Sequence, residues 1–438
     1  MADAEAGAPD VGGGGTGGDG MAADSGPPYP GAQACQWPGW YASPALPKGC
    51  DSVCIPDDVT KRVPALKWID RSDWCADCQW LEPSWWPGAQ PNNAAPLTPA
   101  IRASGAGPDI IGLGVHNPDK SFTVGMYNAL GNPVLGIRVA QDISCGAVAA
   151  TLGGDGTAAT RFRTGYANQR WMLRPMDRAG ELMLATQPDF TYDDAFVGIN
   201  SPNRSFFTAD WIVDAFGGNF MSLVDVKADT VTKIASLPGA PPGEYDSAVI
   251  SGNAIFVRAF TDKSSWFVVE NGVVKPFLGG PNVDIDRVAT DGKWIVWNEG
   301  TQLAPDPSDS SRMLAQRHDL YRAPFTTDAT KIQRQLLVPD TPRFYGTSAF
   351  ANGYYTDITL NHPDGSTVNH SQALVVQVDT GRAWSSDLPQ GYVWGGRNYP
   401  APTELWGAVS PDHYNVQYAY TIGRVPYADM TQIQAKMP

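Results

Sequence analysis

The chain has 438 residues, enough for two or three average domains or one large all-β domain, and a formal charge of −14. That acidity excludes nucleic acid as a partner, because phosphate binding needs clustered Lys and Arg, and it disfavours adsorption to anionic lipid. Hydrophobic residues make up 42% and charged residues 17%, with 46 Gly and 37 Pro, which points to many short strands joined by turns and away from helical bundles. No run of 18 apolar residues offers a membrane span.

Residues 1–34 contain ten Gly, five acids and no Lys or Arg. Such a segment cannot bury apolar surface and reads as a disordered tether. No basic residue precedes Lys48 and no apolar stretch follows Met1, so no signal peptide is visible.

Residues 35–107 are irregular and dense in tryptophan, with Trp37, Trp40, Trp68, Trp74, Trp80, Trp85 and Trp86. Five of the six cysteines lie here, Cys35, Cys50, Cys54, Cys75 and Cys78, and Cys145 follows. An even count in a loop-rich segment reads as three disulfides. Two alternatives stay open. Cys50, Cys54, Cys75 and Cys78 approach the spacing of a four-cysteine zinc ribbon. Cys75-Ala-Asp-Cys78 has the spacing of a redox pair, but without a βαβ unit or a helix N-terminus to lower a thiol pKa. No cofactor is expected. A strand candidate at 62–70 is expected to complete the last unit of the array that follows, and 87–99 reads as a linker.

From 108 to 438 a loose phrase recurs, a β-rich run, a tight turn and a second β-rich run. The cleanest copies are 247–260 and 286–297, and looser ones are 347–358 and 406–418. Turns are expected near Asn117–Asp119, Gly153–Asp155, Pro202-Asn203, Gly252-Asn253, Asp291-Gly292, Asn352-Gly353 and Pro411-Asp412. Asn-Gly and Asp-Gly are hairpin signals because these residues tolerate positive φ. Second strand pairs follow at 266–277 and 374–384. Seven units over this stretch give ~47 residues each, near the length of a four-stranded propeller blade.

These units resemble the blades of a β-propeller, close to the WD40-like and TolB-like bacterial repeats, in which a strand passes through Asp-Gly or Asn-Gly into an aromatic-rich strand, as in Ala289-Thr-Asp-Gly-Lys-Trp-Ile-Val-Trp297. The resemblance implies an all-β propeller of seven four-stranded blades, with six or eight as alternatives, behind a Cys-rich N-terminal segment. It implies a fold rather than an activity. The Gly/Ala/Asp-rich start resembles the stretch that follows the lipidated cysteine in surface lipoproteins of Gram-negative bacteria. This implies an extracellular or cell-surface protein, with a lipid anchor on the native precursor. A cytosolic protein with a floppy N-terminus is the alternative.

No Gly-x-Ser-x-Gly elbow, Walker loop, His-Glu-x-x-His or Rossmann fingerprint is present. His116 and His413 fall in turn positions. His362 and His370 flank a predicted turn, where they could share a proton or a metal. Tyr192-Asp-Asp194 and the pair Asp284 and Asp286 could supply carboxylates for glycoside cleavage, if placed ~5–9 Å apart. Aromatics beside polar turns offer flat surfaces for sugar rings or peptide side chains. The ligand-binding candidates are therefore Trp394, Arg397 and Tyr399, on an expected Gly-rich loop, and Trp86. Arg397 is suited to an anionic group. The expected role is a displayed, non-catalytic binding module for a glycan or protein ligand. The alternatives are a secreted polysaccharide hydrolase or lyase, and a structural component of a surface assembly.

Overall fold

The computed structural model describes residues 31–42, 53–63, 65–81 and, between 101 and 433, the strands with part of their connections; from 141 to 230 it describes backbone alone. The described residues are nearly all β, apart from a four-residue helix, Val59–Arg62, and short 3-10 turns. No helix among them is long and apolar enough to cross a membrane.

The described strands form seven antiparallel sheets. In chain order, the second sheet holds Gly146–Leu152, Thr157–Thr164, Asn168–Pro175 and Met183–Thr186, and the third Val197–Gly198, Phe206–Val213, Gly218–Asp225 and Thr230–Lys233. The fourth holds Glu244–Ser251, Ala254–Phe260, Ser264–Glu270 and Val273–Leu278, and the fifth Asp284–Thr290, Trp294–Pro305, Met313–Pro324 and Gln335–Val338. Within each, neighbours in sequence pair as hairpins, the local connection that short turns permit. The first strand of each sheet touches the first strand of the next, and Val393–Pro400 of the seventh touches Ile101–Ala103 of the first.

Turn chemistry explains several hairpins. Asn271-Gly272 and Asn352-Gly353 have φ of 51° and 73°, and of 52° and 78°, the left-handed pair that a two-residue hairpin matched to strand twist requires. Two expected turns are one strand out of phase. Those near 117–119 and 411–412 join the second and third strands of the first and seventh sheets, Pro108–His116 to Phe122–Tyr127 and Glu404–Ser410 to Thr421–Pro426. The first strand of the first sheet lies before residue 108, at Ile101–Ala103.

The N-terminal segment supplies outer strands to two sheets. Trp40–Ala42 and Val53–Pro56 extend the first sheet beyond Pro133–Val139. Gln79–Leu81 pairs with Thr421–Pro426 in the seventh sheet, and Trp68–Asp70 lies outside it. The segment thus does join the last sheet, but the strand next to it is 79–81 rather than 62–70. Leu81 is fully buried there beside Trp406 and Ile422. The sixth sheet holds Ala349–Ala351, Tyr354–Asn361, His370–Gln377 and Arg382–Asp387, and at the other terminus Thr431–Ile433 adds to it beside the last of these.

Tryptophans of this segment pack against arginines, two from the sheets and one from the segment itself. Arg138 lies 4.6 Å from the Trp37 ring centroid, and both side chains hydrogen-bond Asp119. Arg424 lies 4.6 Å from the Trp68 ring, and Arg71 packs over Trp74, Trp80 and Tyr392. A guanidinium over an indole face keeps its charge near solvent while covering apolar surface. Cys35 is bonded to Cys54 and Cys75 to Cys78. These pairings take Cys54, Cys75 and Cys78 out of a shared zinc site; Cys50 and Cys145 lie outside the described residues.

Sheets pack face to face through alternating residues. In the fifth sheet Ile295 and Trp297 turn toward Phe256, Trp266 and Val268 of the fourth. Val296 and Leu320 turn toward Tyr355, Leu374 and Val376 of the sixth. A strand covered on both faces reads as a continuous apolar run, as Ile295-Val-Trp297 does.

Candidate functional site

Two of the aromatic candidates from the sequence, Trp394 and Tyr399, are core residues. Residues 394–399 form no loop; they belong to the strand Val393–Pro400, whose register to Glu404–Ser410 jumps between Trp394 and Asn398. The extra residues bulge out of the ladder, so the glycines bend a strand instead of making a turn. Trp394 is 0% exposed and its Nε1 donates to the Ser386 carbonyl at 3.1 Å. Tyr399 is 3% exposed and its hydroxyl accepts from Asn352 Nδ2. Neither offers a face to a ligand. Arg397 lies within the bulge, but its side chain is outside the described residues, as is all of Trp86. His362, His413 and Tyr192–Asp194 are also outside them, and His370 pairs in register with Asn361.

Polar groups gather instead where the first strand of the fifth sheet begins. Asp284, Gly300 and His318 lie in one cross-strand row. A bulge at Asp286 turns that carboxylate onto Arg258 of the fourth sheet. Arg258 Nη1 reaches both the Asp286 carbonyl at 2.6 Å and its carboxylate at 2.8 Å. Asp284 Oδ1 accepts the Ser264 backbone N–H at 2.7 Å. Burial, and then the Asp286 charge, raise the Asp284 pKa.

The row needs glycine at 300. A Cβ there would stand 2.4 Å from the Ala315 Cβ, 3.3 Å from His318 Cε1 and 3.4 Å from the Asp284 Cβ. Gly300→Val is expected to destabilise the protein by ~1–3 kcal/mol through overpacking, measured as a lowered denaturant midpoint. An unchanged midpoint would show that the row is loosely packed.

Behind the row, the face of the fifth sheet that Val296 and Leu320 turn to the sixth becomes polar. His318 Nδ1 and Asn298 Oδ1 are 3.0 Å apart, Asn298 Nδ2 donates to Thr341 Oγ1, and the Thr341 N–H donates to the His318 carbonyl. Across from it, fully buried Asp357 accepts from the Tyr355 hydroxyl and the Ile358 N–H, each at 2.8 Å. Burial lifts the Asp357 pKa to about 7, against the opposing pull of Arg287 and of these hydrogen bonds. Basic and acidic side chains therefore alternate across three sheets, Arg258, Asp286, Arg287 and Asp357. Asp357 was open to detection in the sequence. In the phrase 286–297 the fourth residue after the turn glycine is Val296, and in 347–358 it is Asp357.

Beyond the row, Trp294–Pro305 and Met313–Pro324 continue as a two-stranded ribbon past the first strand of their sheet. Five residues of each strand extend it by ~16 Å. Gln302, within the ribbon, holds a left-handed φ of 56°, a strained conformation for a side chain of this kind. At its base Arg317 pairs with Asp319 at 3.1 Å and with exposed Asp340 at 3.2 Å. Among the described residues no three His, Cys, Asp or Glu side chains form a metal-binding group.

This array of sheets resembles β-propeller structures at the level of fold alone. No protein-family model matches the chain, and no curated protein matches it. Among solved structures, an oligogalacturonate lyase in complex with manganese is 10% identical, with 86% of this chain and 97% of that one covered and a TM-score of 0.52. The oligogalacturonate lyase of Vibrio parahaemolyticus is 10% identical over 84% of this chain and 98% of its own, with a TM-score of 0.53. The β-propeller domain of the Trilobed protease from Pyrococcus furiosus is 9% identical over 78% of this chain and 99% of its own, with a TM-score of 0.47.

Proposed function

We propose that the chain is a seven-bladed β-propeller, secreted or displayed on the surface of a Gram-negative bacterium, that binds a glycan or protein ligand without transforming it. The succession of first strands from Ile101–Ala103 round to Val393–Pro400 and back supports seven blades in a ring. The N-terminal strands on the first and seventh sheets would lock that ring across its seam. The two disulfides support an oxidising compartment.

The observation that carries the binding reading is that the acidic groups in and around the fifth-sheet row are already engaged. Arg258 holds Asp286, a backbone N–H holds Asp284, and Asp357, the carboxyl nearest neutrality, is sealed from solvent. Groups held in this way build a rigid floor, with Asp286 neutralised by Arg258 and Asp357 out of reach of a substrate proton. The ligand would then meet the ribbon and the Arg317–Asp340 rim above that floor.

A secreted polysaccharide hydrolase or lyase is the second reading. It is supported by the raised Asp284 pKa beside a cationic partner, and two fold neighbours are oligogalacturonate lyases. A structural role would draw on an apolar patch at the Cys-rich segment. Among the described residues the one exposed large apolar side chain is Val273, in the fourth sheet. Incubation with a panel of polysaccharides and peptides separates the first two readings. Retention without new products is expected, and new products would establish the enzyme.

A further inference from the structure

The Cys75–Cys78 bridge does little that the backbone does not already do. It closes a loop of sequence separation 3, against 19 for Cys35–Cys54. A cross-link over so short a loop removes the least freedom from the unfolded chain. The turn it spans is independently closed. The Arg71 N–H donates to the Cys78 carbonyl at 2.7 Å, the Cys75 N–H to the Arg71 carbonyl at 3.3 Å, and the Cys78 N–H to the Cys75 carbonyl at 3.4 Å. The Asp77 N–H also donates to Asp429, at 3.2 Å, which holds the turn against the C-terminal end of the chain.

The two sulfurs have different surroundings. Cys78 is 2% exposed and packs among Val409, Val425 and Met430. Cys75 is half-buried, and the residues between the two, Ala76 and Asp77, are exposed. The Cys75 end of the bond is therefore the more accessible and Cys78 is fixed in the core; Cys35–Cys54 has the same asymmetry, so it is the short, independently held loop that sets Cys75–Cys78 apart. In thiol–disulfide exchange the reachable sulfur is attacked and the buried one leaves.

We propose that Cys75–Cys78 is a thiol–disulfide exchange site whose partner is a dithiol. A thiolate of the dithiol attacks Cys75 Sγ, a mixed disulfide forms, and the Cys75–Cys78 bond breaks with its electron pair on Cys78, which takes a proton. The second thiol of the partner then displaces Cys75. The products are two protein thiols and the oxidised partner, so two electrons pass from the dithiol to the protein. The spacing is that of a redox pair, and half-buried Cys75 is its more accessible end. Because hydrogen bonds hold the turn, the fold survives the reduction.

The test treats the full, folded protein with dithiothreitol, alkylates freed thiols at timed intervals and identifies the labelled peptides by mass spectrometry. Cys75 and Cys78 are expected to label at least tenfold faster than Cys35 and Cys54, with an unchanged circular dichroism spectrum. Reduction no faster than that of Cys35–Cys54, or only together with unfolding, overturns the proposal. Single-cysteine variants check the direction of attack. Cys78→Ser should form a mixed disulfide with oxidised glutathione through Cys75, and Cys75→Ser should not. Equal trapping by both would contradict the assignment of Cys75 as the attacked sulfur.

Discussion

Replacing Asp357 by Asn is expected to change the pH dependence of stability more than any other single substitution in the described part of the chain. The carboxyl is fully buried, and its folded pKa of about 7 lies well above the ordinary aspartate value near 4. The folded state therefore holds its proton over a range in which the unfolded chain has released it. The contribution of Asp357 to stability is fully present below about pH 4 and is lost as the pH rises to about 7. Over that window the stability of the Asn variant relative to wild type should rise by roughly 4 kcal/mol, since each pKa unit is worth about 1.4 kcal/mol. Asn keeps one oxygen, for the Tyr355 hydroxyl or the Ile358 N–H but not both; that loss does not depend on pH, so the charge is read from the change of the difference with pH. Urea unfolding of both proteins at several pH values reads the difference. A constant difference from pH 4 to 8 would mean that Asp357 is ionised throughout, and that Arg287 outweighs burial.

Trp406→Ala is expected to cost about 3–5 kcal/mol and to loosen the N-terminal segment. Trp406 is 2% exposed in the seventh sheet, and Trp68 stands edge-on to it at 4.9 Å. Its Nε1 donates to Glu404 Oε1 at 2.7 Å, and Arg424 lies between it and Gln79. Truncation opens a cavity where the segment meets the sheet. The lost stability appears as a lowered denaturant midpoint, and limited proteolysis should cut within 35–100 in the variant before it cuts wild type. A cost below about 1 kcal/mol with unaltered cleavage would show that the segment is held chiefly by its disulfides and strand pairing.

Much of the fold was legible because local turn chemistry and strand pattern agree in the C-terminal half. Asn271-Gly272 and Asn352-Gly353 turn where their residue types demand. The phase of the array was harder to read. Asp-containing turns also join second to third strands, so the turns at 117–119 and 411–412 carry the same signal from the wrong hairpin. The N-terminal strands pair at long range, Val53 with Val139 and Trp80 with Gly423, and no local pattern encodes such pairings.

The site was less legible. Trp394-Gly-Gly-Arg397 reads as a loop because glycine usually marks one, but a bulged strand uses glycine too, and burial of Trp394 depends on Ser386 in the adjoining sheet. Asp284 and Asp286 were found from their spacing. Their partners were not, because Ser264 and Arg258 belong to another sheet.

The most direct measurement compares wild type with Arg317→Ala on the polysaccharide and peptide panel. Arg317 is exposed at the rim and pairs with exposed Asp340 and with buried Asp319, so its loss should cost about 1–3 kcal/mol of stability, and the circular dichroism spectrum of the variant is compared with wild type first. Wild type is predicted to retain at least one glycan or peptide unchanged, and Arg317→Ala to retain it at least tenfold less well. Equal retention by both proteins, or cleavage of the retained molecule, would contradict a binding module whose ligand sits at this rim.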